Sequence, residues 1–406
     1  MYDHSFSYSS LITIWRKADS RAIGEKSREE IIENAIKSAN TVFFGNNPIE
    51  TIRIKGKPVY ILKNKANEIV VRKLAKNLRR ITTPIQAYRN RIVCCLKLLL
   101  EEGVPYRLYR LDIESFYESF NMQNIVKIMD SNNDISPLSR RILLALLDYY
   151  RKIDGKGLPR GMAISAPISD MMMAEFDSKV LSEECVYFYA RYVDDIVIMT
   201  SSNEKHNKFL ELIDSFLPDG LCFNKNKQAV NEVKILKKCL GHMDFRVEYL
   251  GYSFKVTCNS LHIVKSRHVC VEISQNKIKK TKTKIVRAFL DFHRTHDSRL
   301  LIDRMKYLTS NYKLVDWNTG KHQLAGVYYN SPALSPESKS LKQLDGFLRD
   351  VLFSSVGRLS SLLPKFQSNL KRKILCNKFE YGFTKKRFVH FSNTRIQKIL
   401  ECWKYV

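Results

Sequence analysis

Tyr189-Ala190-Arg191-Tyr192-Val193-Asp194-Asp195-Ile196-Val197-Ile198-Met199-Thr200 sets two adjacent aspartates inside an apolar, β-prone run. Aromatic and β-branched residues on both sides predict a strand hairpin around the acids. One carboxylate taken from water without a partner costs several kcal/mol, and a second beside it adds repulsion. A chain keeps such a pair only where something cationic meets it, and a divalent metal ion is the obvious candidate.

Upstream, Leu108-Tyr109-Arg110-Leu111-Asp112-Ile113-Glu114-Ser115-Phe116-Tyr117 has the same character. A strand-like run from Tyr106 to Ile113 carries an aspartate at its end, followed by adjacent aromatics. About 80 residues separate Asp112 from Asp194, a span that suits two strands of one sheet joined by helices. Asp112, Asp194 and Asp195 together would hold two metal ions about 3.5–4 Å apart, clamping the attacking and leaving oxygens of a phosphoryl transfer.

Three segments in order resemble motifs A, B and C of reverse transcriptases: Asp112 with Phe116-Tyr117, then Gly157-Leu158-Pro159-Arg160-Gly161-Met162-Ala163-Ile164-Ser165, then Tyr192-Val193-Asp194-Asp195. Arg79-Arg80-Ile81-Thr82-Thr83-Pro84 is similar to the fingers segment whose arginine holds the incoming triphosphate. Phe223-Asn224-Lys225-Asn226-Lys227 is similar to the lysine-bearing motif D, and Tyr249-Leu250-Gly251-Tyr252 to the primer-grip hairpin. The likeness spans about residues 50–260. It implies an α+β right-hand polymerase with fingers and palm, an all-α basic thumb, and two Mg²⁺ ions on Asp112, Asp194, Asp195 and the Ile113 carbonyl.

The same resemblance implies roles for other residues. Tyr117 would lie beneath the sugar of the incoming dNTP and exclude a 2′-hydroxyl. Arg79 would clamp the triphosphate, with Lys73 and Arg72 as helpers. Gly161 would let the backbone approach the nascent base pair, beside Ser165. Lys225 or Lys227 would protonate pyrophosphate, and Leu250, Gly251 and Tyr252 would position the primer end. Arg160 departs from the family, which commonly has glutamine there. Its charged planar fork would hold a phosphate or pair internally with an acid.

Composition fits a polynucleotide enzyme. The chain has 406 residues and a formal net charge of +27. Residues 265–406 hold 29 Lys or Arg against 10 Asp or Glu, a net of +19; the remainder nets +8. A basic C-terminal third behind an acidic site suits one region gripping phosphate backbone and another doing chemistry on it. The nine cysteines follow no disulfide framework, which points to a reducing, cytoplasmic setting. No stretch of about 18 apolar residues exists, so no membrane span is expected. Cys258, His262, His268 and Cys270 match no common zinc-finger spacing and read as dispersed strand residues.

The expected organisation is an N-terminal helical extension over 1–50, fingers and palm over 51–264, and a helical thumb and nucleic-acid-binding region over 265–406. Ser27-Arg28-Glu29-Glu30 reads as a capping box before an apolar stripe of Ile31, Ile32, Ala35, Ile36 and Ala39. Ser165 reads as a helix N-cap, and Leu341 to Leu363 as an amphipathic helix. Compact size and the Leu158-Pro159-Arg160-Gly161 loop resemble bacterial defence-associated reverse transcriptases of the Abi and unknown-group lineages. Within these, the chain is similar to the smaller enzyme of the type 3 antiphage system, which encodes two reverse transcriptases. That likeness implies a structured non-coding RNA as template or scaffold, a DNA product, a second reverse transcriptase as partner, homo-oligomerisation, and a role in antiviral immunity. The alternative is a polymerase of the same fold that works without a conventional template or primes from its own tyrosine.

Overall fold

The computed structural model describes residues 3–16, 19–22, 27–42, 48–54, 56–82, 89–233, 244–258, 267–315, 322–354 and 368–404. They fall into two compact units: described residues of Met1–Ala87 and Val104–Ile235 form the first, and those of Tyr88–Gly103, Leu236–Asp316 and Gly320–Val406 the second.

The first unit begins with helices α1 (Tyr8–Ile12), α2 (Asp19–Ala22) and α3 (Arg28–Thr41). The Ser27 side chain accepts from the Glu30 amide and starts α3, and Ile31, Ile32, Ala35 and Ala39 turn inward. Strands β1 (Ile49–Ile54) and β2 (Lys57–Leu62) then pair antiparallel, and helix α4 (Lys65–Ile81) follows. The centre is a four-stranded antiparallel sheet in the order β4-β5-β3-β6, built from β3 (Tyr106–Asp112), β4 (Val186–Tyr192), β5 (Asp195–Thr200) and β6 (Ala229–Val233). The apolar run Ile196–Met199 is buried on both faces, as a central strand requires. Around the sheet lie α6 (Phe116–Ser119), α7 (Met122–Ser131), α8 (Pro137–Lys152), α9 (Ser165–Ser182) and α10 (His206–Ser215). The Ser136 side chain accepts from the Ser139 amide and Pro137 opens α8, where its missing N–H costs no helical bond.

The second unit holds α5 (Arg89–Glu101) and the antiparallel strands β7 (Asp244–Tyr249), β8 (Tyr252–Cys258) and β9 (Arg267–Ile273). Its basic helix α11 (Gln275–Thr295) buries Ile278, Ile285, Phe289 and Phe292. Next come α12 (Ser298–Thr309), the hairpin of β10 (Asn311–Val315) and β11 (His322–Gly326), and α13 (Ser340–Phe353). Helices over Ser368–Leu375, Phe379–Thr384 and Asn393–Glu401 complete it. The all-α character expected of the C-terminal region is therefore corrected: β9 extends a sheet, and the β10–β11 ladder is tied to the last helices through Asn311, whose amide donates to the Arg387 carbonyl at 2.8 Å. The helix expected over Leu341 to Leu363 spans Ser340–Phe353, and residues 355–367 lie outside the described set.

Candidate active site

Antiparallel pairing of β3 with β5 sets Asp112 directly opposite Asp195. Residues facing each other in this way have Cβ atoms about 4.5–5.5 Å apart, so two acids distant in sequence become neighbours. Asp194 lies in the turn between β4 and β5, and its carbonyl accepts from the Ile113 amide at 3.2 Å. Ile113 also bridges Phe223, and the Asn224 amide donates to the Asp112 carbonyl at 2.7 Å. The segment carrying Lys227 is thereby stitched to the end of β3.

Burial sets the electrostatics. It is the main cause raising the carboxyl pKa of both Asp194 and Asp195 above the ordinary value; for Asp194 the negative charge of Asp112 adds to it, and for Asp195 those of Asp194 and Asp112 do. Nearby cations oppose the shift: Lys227 and Arg160 at Asp194, Arg110 and Lys227 at Asp195. The Lys227 ammonium donates to Asp112 Oδ1 at 2.7 Å, and Arg110 lies 3.8 Å from Asp195. That ion pair raises the Lys227 pKa. Both Lys225 and Lys227 are exposed, and Lys227 is the one seated on an aspartate.

The hairpin turn itself is strained. Tyr192 pairs with Asp195, leaving a two-residue turn in which Val193 has φ +63°, a region β-branched residues avoid. A buried brace supports it. Arg191 directs Nη1 at the Val193 carbonyl, 3.2 Å away, and grips Asp177 of α9 with Nε at 2.8 Å and Nη2 at 2.6 Å. The Tyr189 hydroxyl donates to the same carboxylate. Both members of the ion pair are almost completely enclosed.

Tyr117 is half-buried on α6, and its phenol pKa is raised by burial and then by the charges of Asp170 and Asp194. Arg160 pairs internally. Its Nε reaches Glu118 Oε1 at 2.8 Å and its Nη2 reaches Oε2 at 3.0 Å. Gly161, at φ +96°, stands where a Cβ would come within 2.5 Å of Val59 Cγ1; the close approach expected of it is, in this structure, to β2. The Tyr60 amide donates to the Arg160 carbonyl at 2.8 Å, so the β1–β2 hairpin docks on this loop.

Several expected roles need correction. Lys73 is buried, donates to the Asp3 carbonyl, and has its pKa pushed down to about 8 by burial. Arg72 is buried on Asp19 at 2.8 Å. Both side chains are engaged inside the N-terminal region, Lys73 with Asp3 and Arg72 with Asp19. Arg79 stays exposed at the end of α4, where its charge acts on Asp170. Ser165 is the first residue of α9, with Ile164 at the cap, and its Oγ donates to the Pro159 carbonyl at 2.6 Å; it ties the loop to the helix start and does not cap it.

In the second unit, Leu250 and Gly251 form the two-residue turn between β7 and β8, with φ +48° and +74°. Arg89 donates to the Leu250 carbonyl at 2.6 Å through Nη2. Tyr252 is fully buried, with Arg89 4.9 Å and Lys277 5.2 Å from its ring centroid. Its side chain packs beneath the turn. Of the zinc-like set, His262 lies outside the described residues, and His268 meets Glu337 at 3.2 Å.

The residues fit a divalent cation. Half-buried Asp194 and Asp195, whose pKa values are raised, lie beside the buried Asp112, and an ammonium rests on Asp112. Among the described residues, no group of three acidic, histidine or cysteine side chains is placed to hold a metal ion by itself. Sequence reading left Glu118, Arg110 and the Asp177–Arg191 brace unassigned. Arg110 was accessible to it, since strand periodicity puts residues 110 and 112 on one face.

Acids presented by neighbouring strands in this way place the chain among the right-hand polymerases, with mixed helices and sheets. Residues 56–254 match the family model described as reverse transcriptase (RNA-dependent DNA polymerase). No curated protein matches the chain. Among solved structures, it is similar to apo telomerase from Candida tropicalis truncated from its C-terminal domain, at 13% identity and TM-score 0.37 over 57% of this chain and 55% of that one. Telomerase from Candida tropicalis in complex with a TWJ fragment of telomeric RNA gives 12% identity and TM-score 0.36, and that from Candida albicans 11% and 0.37. Each of these two covers 89% of this chain and 64% of the other. The chain thus spans between about half and two thirds of those proteins.

Proposed function

We propose that the chain is an RNA-directed DNA polymerase that extends a 3′-hydroxyl with deoxynucleotides. The observation that carries this reading is the register of β3 and β5, which sets Asp112 against Asp195 beside Asp194, inside the segment matched to reverse transcriptases. Asp112, Asp194, Asp195 and the Ile113 carbonyl would hold Mg²⁺, which when bound supplies Lewis-acid activation of the hydroxyl and charge neutralisation at the triphosphate. The chain's own residues do the rest. Lys227 Nζ holds a proton, kept there by Asp112, for the departing pyrophosphate oxygen. Tyr117 stacks beneath the sugar, Arg79 offers an exposed charge to the triphosphate, and the loop from Gly157 to Ser165 lines the nascent pair. Residues 51–264 would supply fingers and palm, including the Leu250-Gly251-Tyr252 primer grip, with residues 1–50 as an N-terminal extension and 265–406 as the thumb.

A defence role, a non-coding RNA template or scaffold, a second reverse transcriptase and homo-oligomerisation complete the proposal, supported by the sequence resemblance to the Abi and unknown-group lineages. A cytoplasmic setting is supported by the free thiols of the described cysteines. No helix among the described residues is long and apolar enough to cross a membrane.

Primer extension on an RNA template with dNTPs and Mg²⁺ tests the activity. Product is expected from the wild type and none from Asp194→Ala; equal product from both overturns the reading. Phage protection by the wild type and its loss in an Asp112→Ala, Asp194→Ala double variant are expected; no protection by the wild type overturns the defence role, and protection retained by the double variant overturns its dependence on the polymerase site.

A further inference from the structure

We propose that Glu118 and Arg160 form a positioning pair for Tyr117, so that a surface-accessible ion pair sets how strictly this chain distinguishes deoxynucleotides from ribonucleotides. The inference rests on the polymerase reading above and adds to it the residues that hold the sugar-facing ring.

Three contacts converge on Tyr117 from the loop before α9. The Leu158 amide donates to the Tyr117 carbonyl at 2.7 Å. A Cβ on Gly157 would come within 2.2 Å of that same oxygen, so the loop lies flush against α6 only because residue 157 has no side chain. The Arg160 guanidinium stands 5.9 Å from the Tyr117 ring centroid while its fork closes on the carboxylate of the next residue, Glu118. On the far side, the Arg160 carbonyl is fixed by the Tyr60 amide of β2 at 2.8 Å. The pair is a bolt between the docked hairpin and the short helix that carries the ring. That helix starts from Ser115 at φ +46°, a strained residue that persists only where its surroundings hold it.

Exposure decides what the bolt is for. The two side chains are 32% and 33% exposed, and an ion pair so placed adds only about 0–1 kcal/mol to stability. It adds little to folding. Bidentate geometry instead supplies direction. Steric exclusion of a hydroxyl depends on where the ring edge lies, and dispersion and repulsion change steeply over a fraction of an ångström. Loosening α6 therefore admits a 2′-hydroxyl well before it unfolds anything.

The experiment is steady-state incorporation of a dNTP and its matching rNTP on one RNA-templated primer, by wild type, Glu118→Gln, Arg160→Gln, the double variant, and the charge exchange Glu118→Arg with Arg160→Glu. Each single variant is expected to lower the dNTP-over-rNTP ratio by roughly tenfold, the order that a small change in pocket fit produces, with the gain appearing as a lower KM for the ribonucleotide. The double variant should lose no more than either single one, because both remove the same interaction. The charge exchange should recover part of the ratio, and melting temperatures should stay within a degree or two of wild type. Unchanged ratios, effects that multiply, or losses that track melting temperature overturn the inference. A wild type that extends no primer overturns the polymerase reading and this inference together, whereas a wild type that extends while its variants discriminate normally overturns this inference alone.

Discussion

Two hairpin turns in this chain share a backbone device and carry opposite charge. The β4–β5 turn puts an apolar residue, Val193, at φ +63°, and the β7–β8 turn does the same with Leu250 at +48°. Around the first lie aspartates whose pKa values are raised by burial and by one another. Around the second lie Arg89 and Lys277, and burial together with Arg89 pushes the Lys277 pKa down to about 8. Like charges crowded at a tight turn are costly in both places. The first arrangement is relieved by a cation and the second by an anion such as a phosphate, so each turn is incomplete by itself in a way that names its ligand's sign.

The largest expected effect falls on the brace that only the acidic turn possesses. Asp177→Ala would strand the enclosed Arg191 and is expected to cost the first unit about 3–5 kcal/mol. Denaturant melting measures it, and a loss under about 1 kcal/mol would show that the turn stands without its support. Next comes pH. Because the folded-state pKa values of Asp194 and Asp195 are raised, protonation favours the metal-free fold, and that contribution is lost as pH rises through the raised values. Divalent-metal affinity should run the opposite way, falling about tenfold per pH unit for each proton displaced, from a pH above the ordinary carboxylate range of about 4. Titration calorimetry from pH 8 down to pH 5 reads this directly; a flat profile would remove the electrostatic half of the comparison.

A smaller effect tests the shared backbone. Val193→Gly and Leu250→Gly should each stabilise by about 0.5–1 kcal/mol, the relief of left-handed strain less the entropy glycine loses on folding. Opposite signs at the two turns would break the parallel. The smallest effect concerns the basic turn. Lys277→Met should lower the salt slope of single-stranded nucleic-acid binding by about one unit or less. Since Lys277 loses its proton above about 8, wild-type binding should weaken between pH 7 and 9 and the variant's should not.

Much of this contrast can be read from sequence, for physical reasons that also mark where reading stops. Buried acids in alternating strands have few explanations, so Asp112, Asp194 and Asp195 stand out at once. The Ser27 cap and the α8 stripe are local patterns and equally visible. Lys73 is buried, which a charged helix does not suggest. Its position four residues after Ile69 and four before Asn77, both buried, puts it on the inward stripe of α4. Glu118 could not be chosen as the partner of Arg160, since the pairing spans 42 residues and depends on how a loop docks against β2. The β10–β11 hairpin escaped notice because its strands are short and lie within a strongly basic, helix-rich region. Lys225 and Lys227 have equivalent sequence surroundings, and only the turn over 225–227 separates them.

The central claim is that Asp112 and the two turn acids bind divalent cation jointly. Mn²⁺ titration of the wild type, Asp112→Asn and Asp194→Asn, followed by electron paramagnetic resonance, tests it most directly. Saturable binding in the wild type that is lost in both variants is the predicted result. Binding of equal strength in all three proteins would contradict it.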